Sequence, residues 1–108
     1  MRKSSPTKDL GTLALTEHRK LAGKISVVSK RVIRSIRDLN MYYTPGVGAV
    51  SAYVAAHKRE VRNLTIKNNT VAIISDGSAV LGLGNIGPAA AIPVMEGKAV
   101  LFKSFADL

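Results

Sequence analysis

Ser75-Asp76-Gly77-Ser78-Ala79-Val80-Leu81-Gly82-Leu83-Gly84-Asn85-Ile86-Gly87-Pro88 is the stretch on which the reading of the fold turns. Immediately before it, Thr70 to Ser75 (TVAIIS) is β-branched and apolar at successive positions, the pattern of a strand buried on both faces. Asp76-Gly77 between that run and Ala79–Leu83 is a hairpin signal. Gly87-Pro88 opens a helix expected to run through Met95, with Pro93 kinking it and Gly97 ending it. Ala99 to Phe105 then reads as a further strand. The expectation for this half is a short sheet with a hairpin.

Toward the N-terminus the pattern becomes helical. Residues 1 to 8 read as a polar, mobile tail. Leu10, Leu13, Ala14 and Leu21 recur at helical spacing, and Gly23 falls where a C-terminal cap belongs. Lys24 to Val28 is a short strand candidate. Ser35 followed by Asp38 has capping-box spacing and opens a helix through Leu39 toward Tyr42. Pro45 disfavours helical geometry at Thr44. Thr44-Pro45 in turn suits a helix start, with threonine as N-cap and proline at the first helical position. Val47, Val50, Val54 and Val61 form the apolar stripe of that next helix, so Tyr43 falls at a sharp junction between two helices. The expected fold is a small mixed α/β domain, helical in the N-terminal half.

The chain has 108 residues, 46% of them hydrophobic, with 16 Lys or Arg, seven Asp or Glu and no cysteine. That length suits one domain spanning 1–108. The apolar content excludes intrinsic disorder, and no apolar run approaches the roughly 18 to 20 residues that span a bilayer. Without cysteine there is no disulfide, thiolate metal site or thiol nucleophile. No signal-peptide pattern opens the chain, so a cytoplasmic location is the default expectation. Charge is unevenly placed: residues 1–67 hold 14 of the basic residues and four of the acids. Its densest part, Lys24, Lys30, Arg31, Arg34 and Arg37, could attract a polyanion. No aromatic residue interleaves with it in sequence, so a base-stacking platform is not expected.

Three features could carry chemistry. Gly82, Gly84 and Gly87 match the dinucleotide fingerprint, whose glycines let amides at a helix start approach a pyrophosphate. A hairpin, not a βαβ unit, is expected before them, and Asp107 follows the last expected strand. A glycine-rich turn that packs closely or lines a cleft is the favoured reading. His18 and His57 stand beside basic residues with no ligand spacing, as surface histidines do. Lys98 follows a helix-ending glycine and precedes an apolar run, where its ammonium could enter a cleft. Burial lowers a lysine pKa, as a lysine base requires, but from spacing alone a lysine snorkelling to water is the favoured reading.

Taken together, Tyr43-Thr44-Pro45-Gly46-Val47, the block Ser75 to Pro88, and Pro93-Val94-Met95-Glu96-Gly97-Lys98-Ala99 closely resemble the malic enzymes, the shorter bacterial type in particular. Lys24-Ile25-Ser26-Val27-Val28 is similar to the family's early segment. The likeness runs from about Leu13 to Leu108. It implies an N-terminal, substrate-side domain of an enzyme that converts malate to pyruvate and carbon dioxide. It further implies NAD or NADP as hydride acceptor, and a divalent metal, Mg2+ or Mn2+, that holds the substrate. By the same resemblance Tyr43 is the general acid that protonates enolpyruvate, and Lys98 is the general base at the substrate hydroxyl.

The family's acidic metal ligands and its nucleotide-binding domain have no counterpart in these 108 residues. The chain alone is therefore expected to be inactive and to bind neither cofactor. A homodimer is implied, with neither nucleic acid nor membrane as partner. Asn68 stands where the family has glycine, in a turn that asparagine tolerates. No arginine follows Asp76-Gly77, which leaves the substrate carboxylate's partner open. Two other classes remain as alternatives: a small basic module binding nucleic acid or another polyanion, and a dimerisation unit.

Overall fold

A computed structural model describes residues 6–108, with side chains described from Asp9 onward. The chain is helical. In order come α1 (Pro6–Leu21), α2 (Ile36–Tyr42), α3 (Gly46–Ala56), a 3-10 turn at Lys58–Glu60, α4 (Val61–Leu64), a second 3-10 turn at Ile66–Asn69, and α5 (Gly87–Ala106). Two compact units are distinguished: residues up to Ser26 with Ala72–Asp107, and Val27–Val71.

The expected mixed α/β fold is corrected: among the described residues there is no strand or sheet, only an isolated antiparallel bridge between Val80 and Gly84. Lys24–Val28 and the 70–76 run lack ladder partners; Thr70 is extended (φ −133°, ψ 133°), and residues 71–76 form no helix, turn or bridge. A β-prone run becomes a strand only when another strand pairs its backbone. The hairpin fails for a related reason. A two-residue type I′ turn needs positive φ at both central residues, and Gly77 has it (+72°) while Asp76 does not. The chain reverses instead over Val80–Gly84, where Gly82 (φ +77°) and Gly84 (φ +70°) take the left-handed positions.

Ala99–Phe105 is helix rather than strand, because α5 continues through Gly97 for 20 residues. Gly97 has an ordinary helical backbone, and glycine inside a helix costs only about 1 kcal/mol relative to alanine. The helix ends where Asp107 turns left-handed (φ 54°), with its N–H on the Lys103 carbonyl and its carboxylate paired with Lys103. An apolar run of this length is compatible with either element, and here the helical register carried through.

At the other end, the tail expected over residues 1–8 lies outside the described residues at 1–5, while Pro6–Lys8 belong to α1. The C-terminus of α1 is a Schellman turn: Ala22 takes the left-handed position (φ 53°), and the Gly23 N–H reaches the His18 carbonyl at 3.4 Å. Gly23 is thus one position beyond the left-handed cap. α2 starts as its sequence indicates, the Ser35 hydroxyl accepting from the Asp38 N–H at 3.2 Å. Asp38 reaches back to the Arg34 N–H (3.0 Å) instead of closing the box on Ser35.

α3 begins one residue later than the threonine–proline signal suggests: Pro45 is its N-cap, the Thr44–Pro45 peptide is cis, and no side chain caps the helix. The valine stripe does not run unbroken to Val61. His57 leaves helical geometry (φ −133°, ψ 70°), and its imidazole stacks on Tyr53 with centroids 4.3 Å apart. Asn68 lies in a 3-10 turn without positive φ. Ala91, 1% exposed, is the buried hydrophobic residue among those described; Leu13, Ile36, Leu101 and Phe105 are more than half exposed.

Candidate functional site

Tyr43 and Lys98 belong to different units. In the Val27–Val71 unit, Tyr43 is the C-cap of α2, its N–H on the Leu39 carbonyl at 2.8 Å. Its own carbonyl accepts from the Val47 N–H (2.7 Å), so one residue ends α2 and anchors the first turn of α3. Gly46 makes that tight junction feasible. A Cβ at Gly46 would lie 2.5 Å from the Asn40 carbonyl oxygen and 2.7 Å from that of Met41. The backbone of α3 therefore sits directly against the last turn of α2, and the Tyr43 side chain is left 66% exposed.

The same unit gathers part of the basic run. Ser29, Lys30, Arg31, Ile33 and Tyr42 line a concavity of about 520 Å³, and Arg34 and Asp38 join Lys30, Arg31 and Tyr42 around an adjoining one. Lys30, Arg31 and Arg34 enter no ion pair among the described residues. Tyr42 is the aromatic that sequence spacing did not place among these charges. Its distance of eleven or more residues from Lys30 and Arg31 is bridged by the loop folding back on α2.

In the other unit the glycine block is self-contained. The Ser75 hydroxyl accepts from the Gly77 N–H (3.0 Å), and the Asp76 carboxylate from the Ser78 N–H (2.9 Å). That second bond, chiefly, holds the Asp76 carboxyl below its ordinary value of 3.8. The Gly77 carbonyl accepts from both Ile86 (3.0 Å) and Gly87 (3.2 Å). Those are the amides at the start of α5, the groups a dinucleotide fingerprint would offer to a pyrophosphate. They are spent on Gly77, and no strand precedes the loop. Gly77 is buried, and a Cβ there would lie 1.8 Å from the Gly87 carbonyl oxygen.

Lys98 lies in the middle of α5 and is exposed, the position of a lysine that reaches to water. What the sequence reading missed is a polar junction one turn earlier. His18 Nδ1 lies 2.7 Å from the Ala14 carbonyl, which can only accept, so Nδ1 carries the proton and Nε2 the lone pair. The Lys24 ammonium donates to that Nε2 (2.7 Å) and to the Pro93 carbonyl (2.7 Å). The Lys24 N–H donates to Glu96 Oε2 at 3.2 Å. His18 is therefore a structural partner and not a lone surface histidine; its i, i+6 spacing across a helix end gave no sequence signal.

The metal implied by the resemblance finds no fitting donor set: among the described residues no three His, Asp or Glu side chains gather to hold an ion. No described helix is long and apolar enough to cross a membrane.

The family of malic enzyme N-terminal domains matches residues 22–108. The NAD-dependent malic enzyme of Geobacillus stearothermophilus is 57% identical over 88 residues, covering 82% of this chain and 18% of that protein. The bifunctional malic/malolactic enzyme of Bacillus subtilis is 52% identical over 95 residues, 88% of this chain and 23% of the other. The crystal structure of the NAD-dependent malic enzyme from Thermotoga maritima matches with a TM-score of 0.83 at 52% identity, over 88% of this chain and 27% of that one. The chain thus spans about a fifth of the length of these curated relatives. With a matched segment that takes in both Tyr43 and Lys98, the chain belongs to the malic enzyme N-terminal domain family.

Proposed function

We propose that this chain is the substrate-side part of an enzyme that decarboxylates malate oxidatively to pyruvate, with Lys98 as general base and Tyr43 as general acid. The observation that carries the reading is the family match over 22–108, in which the motifs around both residues fall. Lys98, as the free amine, takes the proton of the substrate's C2 hydroxyl as that carbon is oxidised. After carbon dioxide leaves, the Tyr43 phenol gives its proton to C3 of enolpyruvate. A phenol suits the second step because it holds its proton at neutral pH. The amine gains one proton per turnover and the phenol loses one, so a single net proton transfer resets both.

The NAD- and NADP-dependent relatives suggest a nicotinamide hydride acceptor, and the resemblance adds Mg2+ or Mn2+. Among the described residues no donor set gathers for the metal and the amides at the start of α5 are taken by Gly77, so both groups are assigned to the remaining length of the enzyme, as is the nucleotide-binding domain. The exposed apolar residues of α5, Leu101 and Phe105 among them, support its pairing with further protein surface, including the homodimer implied by the resemblance.

The test joins this chain to the remaining sequence of the Geobacillus stearothermophilus relative and assays malate oxidation and oxaloacetate decarboxylation separately. Lys98→Ala should lose malate oxidation. Tyr43→Phe should slow pyruvate formation more than hydride transfer, releasing oxaloacetate. Normal pyruvate formation in Tyr43→Phe would overturn its role.

The concavities beside Lys30, Arg31, Arg34 and Tyr42 favour a second reading, a polyanion-binding module. Binding of a nucleic acid to the 108-residue chain that weakens steeply with salt and is lost in Lys30→Ala/Arg31→Ala would support it.

A further inference from the structure

We propose that Lys24 is a positioning residue for Lys98: it holds the turn of α5 that follows the weak point made by Pro93. The proposal rests on the general-base reading of Lys98. Pro93 lies inside α5 and has no N–H to give the Ala89 carbonyl, so the helix lacks one rung of its ladder just before the segment that carries Lys98. A helix interrupted in this way can bend and swivel at that point. Lys98 is exposed and five residues beyond it, and among the described residues its side chain enters no hydrogen bond or ion pair that would fix its direction.

Lys24 meets the interruption at two places. Its ammonium donates to the Pro93 carbonyl at 2.7 Å, and its backbone N–H to Glu96 Oε2 at 3.2 Å. The ammonium is itself anchored on His18 Nε2, whose ring is fixed by the Ala14 carbonyl. Gly23 completes the fit: a Cβ there would stand 3.0 Å from Glu96 Oε1, and its φ of +99° disfavours any side chain. The Schellman turn of α1 is thereby latched onto the first turn of α5 after the proline. At 3.6 residues per turn, Glu96 and Lys98 point about 200° apart around the helix. The latch therefore grips α5 from the side away from Lys98, setting its rotation while leaving the amine free for substrate.

Displacement of a catalytic group by about 1 Å can cost on the order of 100-fold in rate, so loss of this latch should appear in kcat. In the joined enzyme, Lys24→Met, which keeps the stem but not the donor, should lower kcat for malate oxidation about 10- to 100-fold, with KM for malate changed less than about threefold. Lys24→Arg should recover most of the loss, and Glu96→Gln, which keeps an oxygen acceptor for the Lys24 N–H, should stay close to the parent. The deciding measurement is the double variant. A residue that acts through Lys98 has nothing left to position once the amine is gone, so Lys24→Met/Lys98→Ala should be no slower than Lys98→Ala alone.

If the two losses multiply, or Lys24→Met keeps its parent kcat, the positioning role is wrong while the general-base reading stands. If Lys98→Ala itself oxidises malate normally, the general-base reading fails and takes this proposal with it. In the 108-residue chain, imidazole 15N spectra read the latch directly. His18 should be the Nδ1–H tautomer, with an Nε2 signal that shifts in Lys24→Met; an Nε2–H tautomer would overturn the geometry.

Discussion

The Tyr43 junction and the Lys98 helix are placed by opposite means. Tyr43 is set by its neighbours: the Ser35 cap starts α2, the Leu39 carbonyl holds the Tyr43 amide, and bare Gly46 lets α3 start against α2. Everything that positions it lies within about a dozen residues. Lys98 sits in a helix weakened by Pro93 and held by Lys24, 69 residues before that proline. A group fixed locally can be read from spacing; a group fixed by a distant turn cannot.

The largest effect that could break this contrast is on catalysis. Removal of a general base typically costs about 10²- to 10⁴-fold, so malate oxidation by Lys98→Ala in the joined enzyme should fall by that much, as read by nicotinamide absorbance. A loss of less than tenfold would leave the Lys98 helix without the role that makes its placement matter.

Next come the glycines that tighten each region. Gly77→Ala forces a left-handed alanine and a Cβ onto the Gly87 carbonyl oxygen, and should destabilise by at least about 2 kcal/mol, with faster hydrogen exchange at the Ile86 and Gly87 amides. In the Tyr43 region, Gly46→Ala meets two carbonyl oxygens and should cost about 1 to 3 kcal/mol in denaturant unfolding. Gly48→Ala, two residues on with nothing within 4 Å, should instead stabilise α3 by about 1 kcal/mol. Equal effects at 46 and 48 would mean that the close approach of α3 to α2 does not exist.

The smallest effect is a titration. The carboxyl of Asp76, held by the Ser78 amide, and that of Asp107, held by Lys103, both lie below the ordinary 3.8. A depressed carboxylate stabilises above its unfolded value and loses that contribution as pH falls through the lower, folded one. Both turns should thus be intact at neutral pH and loosen only below the ordinary carboxylate range. Carboxyl 13C shifts followed against pH check this, and an Asp76 midpoint at or above 3.8 would remove its bond to Ser78.

What was legible in the sequence follows the same division. The Ser35 cap, the break before Pro45, the end of α1 near Gly23 and the α5 start at Gly87-Pro88 were all readable, because each depends on contiguous backbone chemistry. Thr70–Ser75 and Ala99–Phe105 were misread as strands. Both are apolar runs whose conformation is decided by what lies alongside: the first has no ladder partner, and the second inherits the register of a helix that Gly97 does not stop. The residues proposed for catalysis were reached through resemblance, not periodicity. Lys98 is exposed, as the spacing of a lysine snorkelling to water suggests. His18 and Lys24 were invisible as a pair because six residues across a helix end carry no spacing signal, and because the other partners of Lys24, Pro93 and Glu96, belong to another helix.

The most direct test of the central claim, that the Lys98 amine takes the C2 hydroxyl proton, is chemical rescue. Lys98→Ala in the joined enzyme is assayed for malate oxidation with methylamine added over a range of concentration and pH. A small amine that enters the space of the missing side chain should restore hydride transfer in proportion to its unprotonated fraction, with oxaloacetate decarboxylation unchanged. No restoration at any amine concentration, together with oxaloacetate decarboxylation lost as deeply as malate oxidation, would contradict the assignment.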